Sequence, residues 1–318
     1  MTKTAHPVVW LEQQGSAGKQ KLALAPSLGG SVAAWQHTRP GFESFDLFRT
    51  WDGIDYPADP LRVAQASYPL VPWSNRISHG GFSANEQFHA VAPNAAGQIY
   101  PIHGDGFLQS WQSRQVDTSS LEMTLESNRF NGNPHHYRAT HTFKLVDGGM
   151  DQTLTVTHLG DAPLPYGLGQ HPWLPRNEQT TVHAHVTGVW LSHPDCLPKE
   201  HTSDFPPSWD LNTGIPGLGS LVDNCFTGWD GQARITWPDQ QLQLSLEQLT
   251  ASKEVSTYLA SKNNLLIYRP SQGNHLCVEP VSHPIDAFHQ AGQTGLQVLK
   301  TGESLSQVLS WRFKTMQK

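Results

Sequence analysis

Apolar and polar residues alternate with a period of two along most of this chain. Leu121-Met123-Leu125, His141-Phe143-Leu145, Leu154-Val156 and Leu242-Leu244-Leu246 each put apolar side chains on one face of an extended segment. In Gln241–Glu247 the residues between the leucines are Gln, Ser and Glu, a pattern suited to a sheet with one wet face. Leu309, Trp311 and Phe313 supply a closing strand near the C-terminus. Turn-forming groups separate the runs: Asn131-Gly-Asn-Pro134, Asp147-Gly-Gly149, Gly160-Asp-Ala-Pro163 and Trp229-Asp-Gly231. Helical periodicity is nearly absent, and only Leu61–Ala66 and Ile285–Gln290 read as short helical turns. Strands joined by turns, without helices between them, predict an all-β fold: a large antiparallel β-sandwich with few short helices.

Composition narrows the picture. The 318 residues include 27 Gly and 23 Pro, which would break helices but suit many short strands. No linker or low-complexity stretch divides the chain, so residues 1–318 are expected to form a single domain, with Leu197–Gly219 as a loop at its rim. A net charge of -6 with dispersed basic residues argues against nucleic acid and against an anionic membrane surface. No apolar run is long enough for a signal peptide or a spanning helix, which makes the cytoplasm the expected location. Cys196, Cys225 and Cys277 are odd in number and widely spaced, which predicts neither a disulfide framework nor a structural zinc site.

Four segments carry residue types unusual for simple turns. In Pro69–Ile77, Asn75 and Arg76 follow a stretch restricted by Pro and Trp, and Arg offers a rigid fork of donors to a hydroxyl-rich ligand. In Tyr100–Gly106, His103 sits beside glycines that let the backbone approach a ligand. In Gly167–Pro175, Pro172 biases His171 toward extended geometry. In Leu276–His283, Glu279 precedes Pro280, which is expected to stop the strand and leave the carboxylate at a sheet rim. A carboxylate and an imidazole that meet in one pocket can move protons in both directions near neutral pH.

The order of these motifs resembles the aldose 1-epimerase (galactose mutarotase) family. The resemblance begins at Pro26-Ser-Leu-Gly-Gly-Ser-Val-Ala-Ala-Trp35, which is similar to the family's opening hairpin. It continues through Pro72-Trp-Ser-Asn-Arg-Ile77 and Ile102-His-Gly104, and ends near Gly302-Glu-Ser304. It implies the galactose mutarotase-like supersandwich with a cleft on one face. By position in the motifs, it implies Glu279 as catalytic base and His171 as catalytic acid. It likewise implies His103, Arg76 and Asn75 as holders of sugar hydroxyls, and Asp223, in Leu221–Phe226, as a further substrate contact. Some family members carry a Gln on the strand before the Glu, where this chain has Leu265-Leu-Ile-Tyr-Arg269, and His103-Gly-Asp-Gly106 departs from the more usual His-Gly-Gly.

The implied reaction interconverts the α and β anomers of a free hexose of galactose or glucose type through the open-chain aldehyde, with no cofactor or metal. The implied partner is a small-molecule monosaccharide. An adjacent carboxylate is expected to raise the His171 pKa and keep it charged as the acid. Trp73 and Trp173 are positioned in sequence to stack on the sugar or to pack in the core. One rival is a hexose-6-phosphate 1-epimerase, which would need further cations such as Arg62 or Arg269. A second is a non-catalytic carbohydrate-binding or sugar-sensing protein. A metal site built from His103, His171, Asp223 and His283 is not expected, since 17 histidines cluster by chance and no HExxH helix is present.

Overall fold

The computed structural model describes residues 7–51, 65–249 and 257–316. Two large sheets face one another. The first runs, in spatial order, through Ile215–Pro216, Thr181–Ala184, Gln232–Trp237, Leu242–Leu249, Ser304–Thr315, Gly149–His158, His136–Val146, Ser120–Asn128 and Gln112–Gln115. A tenth strand, Thr257–Leu259, joins Ser304–Thr315 in parallel, while the ladders along the main path are antiparallel. The second sheet has eight strands. Its path is Pro198–Thr202, Gly188–Ser192, Val222–Thr227, Asn264–Arg269, His275–Val281, Gly169–Gln170 and Pro69–Leu70, and Trp173–Pro175 also pairs with His275–Val281.

The alternation read from the sequence does the work of sealing the sandwich. Leu121, Leu154, Leu244 and Trp311 from the first sheet and Leu265, Ile267, Leu276 and Val278 from the second belong to one buried apolar cluster. The outer face of the first sheet keeps its Ser, Thr and charged residues toward solvent, as in Leu242–Leu249, where every second residue is buried.

A four-stranded sheet, Val9–Gly15, Gly18–Ala25, Ser31–Thr38 and Phe45–Phe48, stands in sequence order beside the sandwich. Its central hairpin turns through Gly29 and Gly30 at φ +72° and +61°. A Cβ on Gly29 would meet the Phe107 carbonyl oxygen at 2.1 Å, so both its φ and its neighbour demand glycine.

Regular helix among the described residues is confined to four short 3-10 turns, one of which, Ala287–His289, lies inside the expected turn at 285–290. Most of the turn expected at 61–66 lies outside the described residues. The stretch 197–219 is less irregular than expected: Pro198–Thr202 and Ile215–Pro216 add edge strands to the two sheets, because short edge pairings need little apolar pattern to form. Among the described residues, no helix is long and apolar enough to cross a membrane.

Candidate active site

The cleft lies on the outer face of the eight-stranded sheet, and strand register builds it. Along His275–Val281, Leu276 and Val278 point into the sandwich, so Cys277 and Glu279 point out. Across the sheet, Trp173 pairs with Cys277, Cys277 with Tyr268, and Tyr268 with Asp223, which puts four side chains in one row. Glu279 pairs with Leu266, and Leu266 with Cys225, in the next row. Gly169 pairs with Val281 in the same register that sets Trp173 opposite Cys277, so His171, midway between, stands across from Glu279. The ladder is interrupted there, at His171 and Pro172, and Pro172 has no N–H to give.

This corrects one expectation. Pro280 does not end the strand, which runs on through Val281, and Glu279 sits in mid-sheet rather than at a rim. Pro280 is tolerated because its side of the ladder is already broken by the turn through His171 and Pro172. Its carbonyl is still used, accepting a hydrogen bond from Gln307 Nε2 at 3.0 Å.

Loops close the cleft from above. Arg76 and Ile102 form an isolated antiparallel bridge. The Asn75 N–H donates to His103 Nδ1 at 3.1 Å, and the His103 N–H donates to the Asn75 carbonyl at 2.9 Å. His103 therefore accepts at Nδ1 and carries its proton at Nε2. Burial, His171 and Arg76 hold its pKa well below the ordinary value, so it is a neutral donor. Asn75 Oδ1 accepts from Arg76 Nη1 at 3.1 Å and so fixes the guanidinium. Both Asn75 and His103 have positive φ, 54° and 63°, a strained backbone that recurs where side chains are aimed at ligands.

The resulting cavity, about 310 Å³, is lined by Asn75, Arg76, His103, His171, Asp223 and Glu279, all six residues that the sequence suggested. Tyr68, Gln98, Ile102, Trp173, Leu266 and Tyr268 complete the lining. Tyr68 and Gln98 belong to none of the motifs and are not legible in the sequence alone. Leu266 and Tyr268 follow from period two once Leu265 and Ile267 are assigned to the core. Gln98 brings an amide to the lining from a loop outside that strand. Trp73 does not reach the cleft: it is buried against His135 and Phe288.

His171 is held flat. Tyr68 stacks on it at 4.6 Å between ring centroids and Trp173 at 5.5 Å, with interplanar angles of 24° and 25°. Beyond Trp173, the Arg49 guanidinium lies 4.2 Å from the indole centroid. The His171 N–H donates to the Tyr68 carbonyl at 3.1 Å. Nε2 of His171 is 3.4 Å from Oε1 of Glu279, and neither Glu279 oxygen has a hydrogen-bond partner among the described residues.

That proximity alone would raise the imidazole pKa and lower the carboxyl pKa. Burial opposes both and prevails. Desolvation, helped by Asp223, pushes Glu279 well above the carboxylate range, against the pull of Arg76. Desolvation, helped by Arg49, brings His171 down to about 3. Burial therefore favours the neutral pair, with the proton on Glu279, and the expectation of a charged resting His171 is reversed. Asp223 is also raised by burial, offset by Arg76 and a contact from the Cys196 thiol.

Of the four residues weighed as a metal site, His283 is elsewhere. Its Nε2 accepts from the Ser74 N–H at 3.0 Å, and its Nδ1 faces the Pro284 carbonyl at 2.8 Å.

The sequence model of the family described as Aldose 1-epimerase matches residues 16–312. The chain belongs to the aldose 1-epimerase family. The uncharacterised protein YphB of Escherichia coli K12 is 31% identical over 297 residues, covering 93% of this chain and 97% of that one. A crystal structure from the same organism, described as a candidate aldose 1-epimerase, superposes with a TM-score of 0.83 at 26% identity, covering 98% of this chain and all of the other. A galactose 1-epimerase from Lactobacillus acidophilus shares the fold at a TM-score of 0.72 and 13% identity, with 98% and 99% covered. The two solved structures share the antiparallel sandwich described above.

Proposed function

We propose that this member of the aldose 1-epimerase family interconverts the α and β anomers of a free hexose. The observation that carries the reading is the 3.4 Å approach of His171 to Glu279 inside a cavity of about 310 Å³. Ring opening removes a proton from the C1 hydroxyl and delivers one to the ring oxygen. Glu279 takes the first and His171 gives the second.

The neutral resting pair holds the same number of protons as the ionised pair. Moving one proton from Glu279 to His171 arms the site for the closed ring. A C1 hydroxyl donating to Glu279 supplies the hydrogen bond that the buried carboxylate lacks, and so favours this transfer. After opening, the C1 hydroxyl proton is on Glu279 and His171 is neutral. The C1–C2 bond rotates, and the pair runs in reverse to close either face. Arg76, Asn75, His103 and Asp223 hold the remaining hydroxyls. A positioned acid and base each contribute roughly 10²- to 10⁴-fold.

A free sugar fits better than a phosphorylated one. Asp223 and Glu279 put two acidic groups in the lining against one guanidinium, that of Arg76. Arg269 donates to the Ser220 and Pro216 carbonyls, and Arg176 to those of Gly273, Gly217 and Gln272, which commits them to the backbone. Arg62 lies outside the described residues. The test is proton NMR of freshly dissolved α-galactose, α-glucose and α-glucose 6-phosphate. Acceleration of the free sugars is expected, with little for the phosphate. An anomer ratio that follows its spontaneous course for every sugar would leave a binding protein instead.

A further inference from the structure

Cys277 has no part in the proton chemistry above, yet it shares a strand face with Glu279 two residues away and is fully buried. One ring nitrogen of His171, the Cys277 sulfur and one oxygen of Glu279 all lie within 4.8 Å of one another. We propose that these three side chains form a binding site for a thiophilic divalent cation of the Zn²⁺ class, and that its occupancy shuts the cleft to sugar.

The donor set selects the ion. A sulfur, an imidazole nitrogen and a carboxylate oxygen suit Zn²⁺, Co²⁺ or Cd²⁺, whereas Mg²⁺ and Ca²⁺ require more oxygen ligands than this floor offers. A second observation points to a ligand independently. Glu279 is 1% exposed, and both its oxygens lack a hydrogen-bond partner among the described residues. A thiolate and a carboxylate bring two negative charges, which a divalent cation cancels. The thiol and carboxyl protons leave to solvent as it binds, and neutral His171 contributes its lone pair. Two of the three ligands, His171 and Glu279, line the cleft, so the ion enters from solvent and its fourth position faces the cavity. There it ties up the imidazole nitrogen and the carboxylate oxygen that the ring oxygen and C1 hydroxyl of a sugar must meet.

The effect on rate rests on the proposed epimerase reading, but binding of the cation does not, and the two are read separately. Without sugar, Co²⁺ titrated into the whole protein should give a thiolate-to-metal band in the near ultraviolet that saturates near one equivalent. The band should persist in Cys196→Ser and Cys225→Ser, and vanish in both Cys277→Ser and Cys277→Ala. A band that survives both Cys277 variants, or no band in the parent protein, overturns the site. In the anomer assay, Zn²⁺ should compete with galactose. Cys277→Ala should keep the parent rate and need on the order of tenfold more Zn²⁺ for half inhibition, the least that losing a ligand should cost. Equal sensitivity of parent and variant, or equal inhibition by Mg²⁺, also overturns it. If the band appears but no sugar is turned over, the cation site stands and the epimerase reading falls.

Discussion

On the ten-stranded sheet, Leu244 faces the core and its neighbour Ser245 faces water. On the eight-stranded sheet, Val278 faces the same core and its neighbour Glu279 faces a covered cleft. The alternation is identical, but what lies over the outer face differs. Loops carrying Tyr68, Arg76 and His103 roof the second sheet, so a side chain that would be solvated on the first is 1% exposed. The cover over the second sheet is what lets burial push Glu279 well above the carboxylate range.

The widest separation between the two faces should come from removing one residue of each kind. Glu279→Gln, with His171→Ala beside it, should lower the mutarotation rate by roughly 10²- to 10⁴-fold while the protein stays folded. Leu244→Ala should do the reverse, costing about 2–5 kcal/mol of stability and leaving the turnover of the folded fraction intact. Parent-like rates in both cleft variants would remove the chemical role from that face.

Stability adds a sign. Because the folded-state pKa of Glu279 is raised, its contribution is complete below the ordinary value of 4.5 and is lost as pH climbs through the folded value. His171, lowered to about 3, acts oppositely, losing stability as pH falls from 6.5, but burial and Arg49 cause that shift and both remain in Glu279→Gln, so it largely cancels in the difference. Denaturant midpoints from pH 5 to 8 should therefore show the parent losing ground to Glu279→Gln with rising pH. A parent that gains would mean an ionised resting carboxylate.

The same contrast explains what is legible in the amino-acid sequence alone. Leu242–Leu249 announces itself because one face is polar. Asn264–Arg269 and His275–Val281 read as nearly continuous apolar runs, so their direction and the depth of Glu279 were hidden. The motifs singled out Glu279, His171, His103, Asn75 and Arg76 because neighbouring Gly and Pro residues mark them, whereas Asp223, on a strand without such marks, came from the family resemblance alone. The pKa inversion was not legible. It depends on how completely Tyr68, Trp173 and the roof loops exclude water, and that is a property of packing between segments about a hundred residues apart.

Next in size is the acidic end of the cleft. Asp223→Asn should raise KM for galactose roughly tenfold, the worth of one hydrogen bond to a charged group. It should also lower the Glu279 pKa, since Asp223 is the charge that helps burial raise it. The carboxyl limb of the pH–rate profile should then move down. An unmoved limb with unchanged KM would exclude Asp223 from the site.

Smaller still is the stack behind the acid. Arg49→Met removes the guanidinium 4.2 Å from Trp173, a contact worth about 0.5–1 kcal/mol, and should slow turnover a few-fold. Arg49 also helps lower His171, so the imidazole limb should shift upward. A loss of stability with an unshifted limb would make Arg49 a packing residue only.

The smallest effect is expected on the outer face of the ten-stranded sheet, where Arg138 Nη2 lies 3.0 Å from Glu126 Oε2 and both side chains are more than half exposed. Holding two long side chains in one geometry costs entropy that a solvent-screened attraction barely offsets, so Arg138→Gln should change stability by less than about 1 kcal/mol and leave the rate alone. At 3.4 Å, the His171–Glu279 pair is no closer, yet it is the pair to which the proposed reaction assigns the rate, because its side chains are 9% and 1% exposed while those of Arg138 and Glu126 stand in solvent. If Arg138→Gln proved as damaging as a core truncation, the outer face would not be the inert one, and exposure would no longer account for the difference between the two sheets.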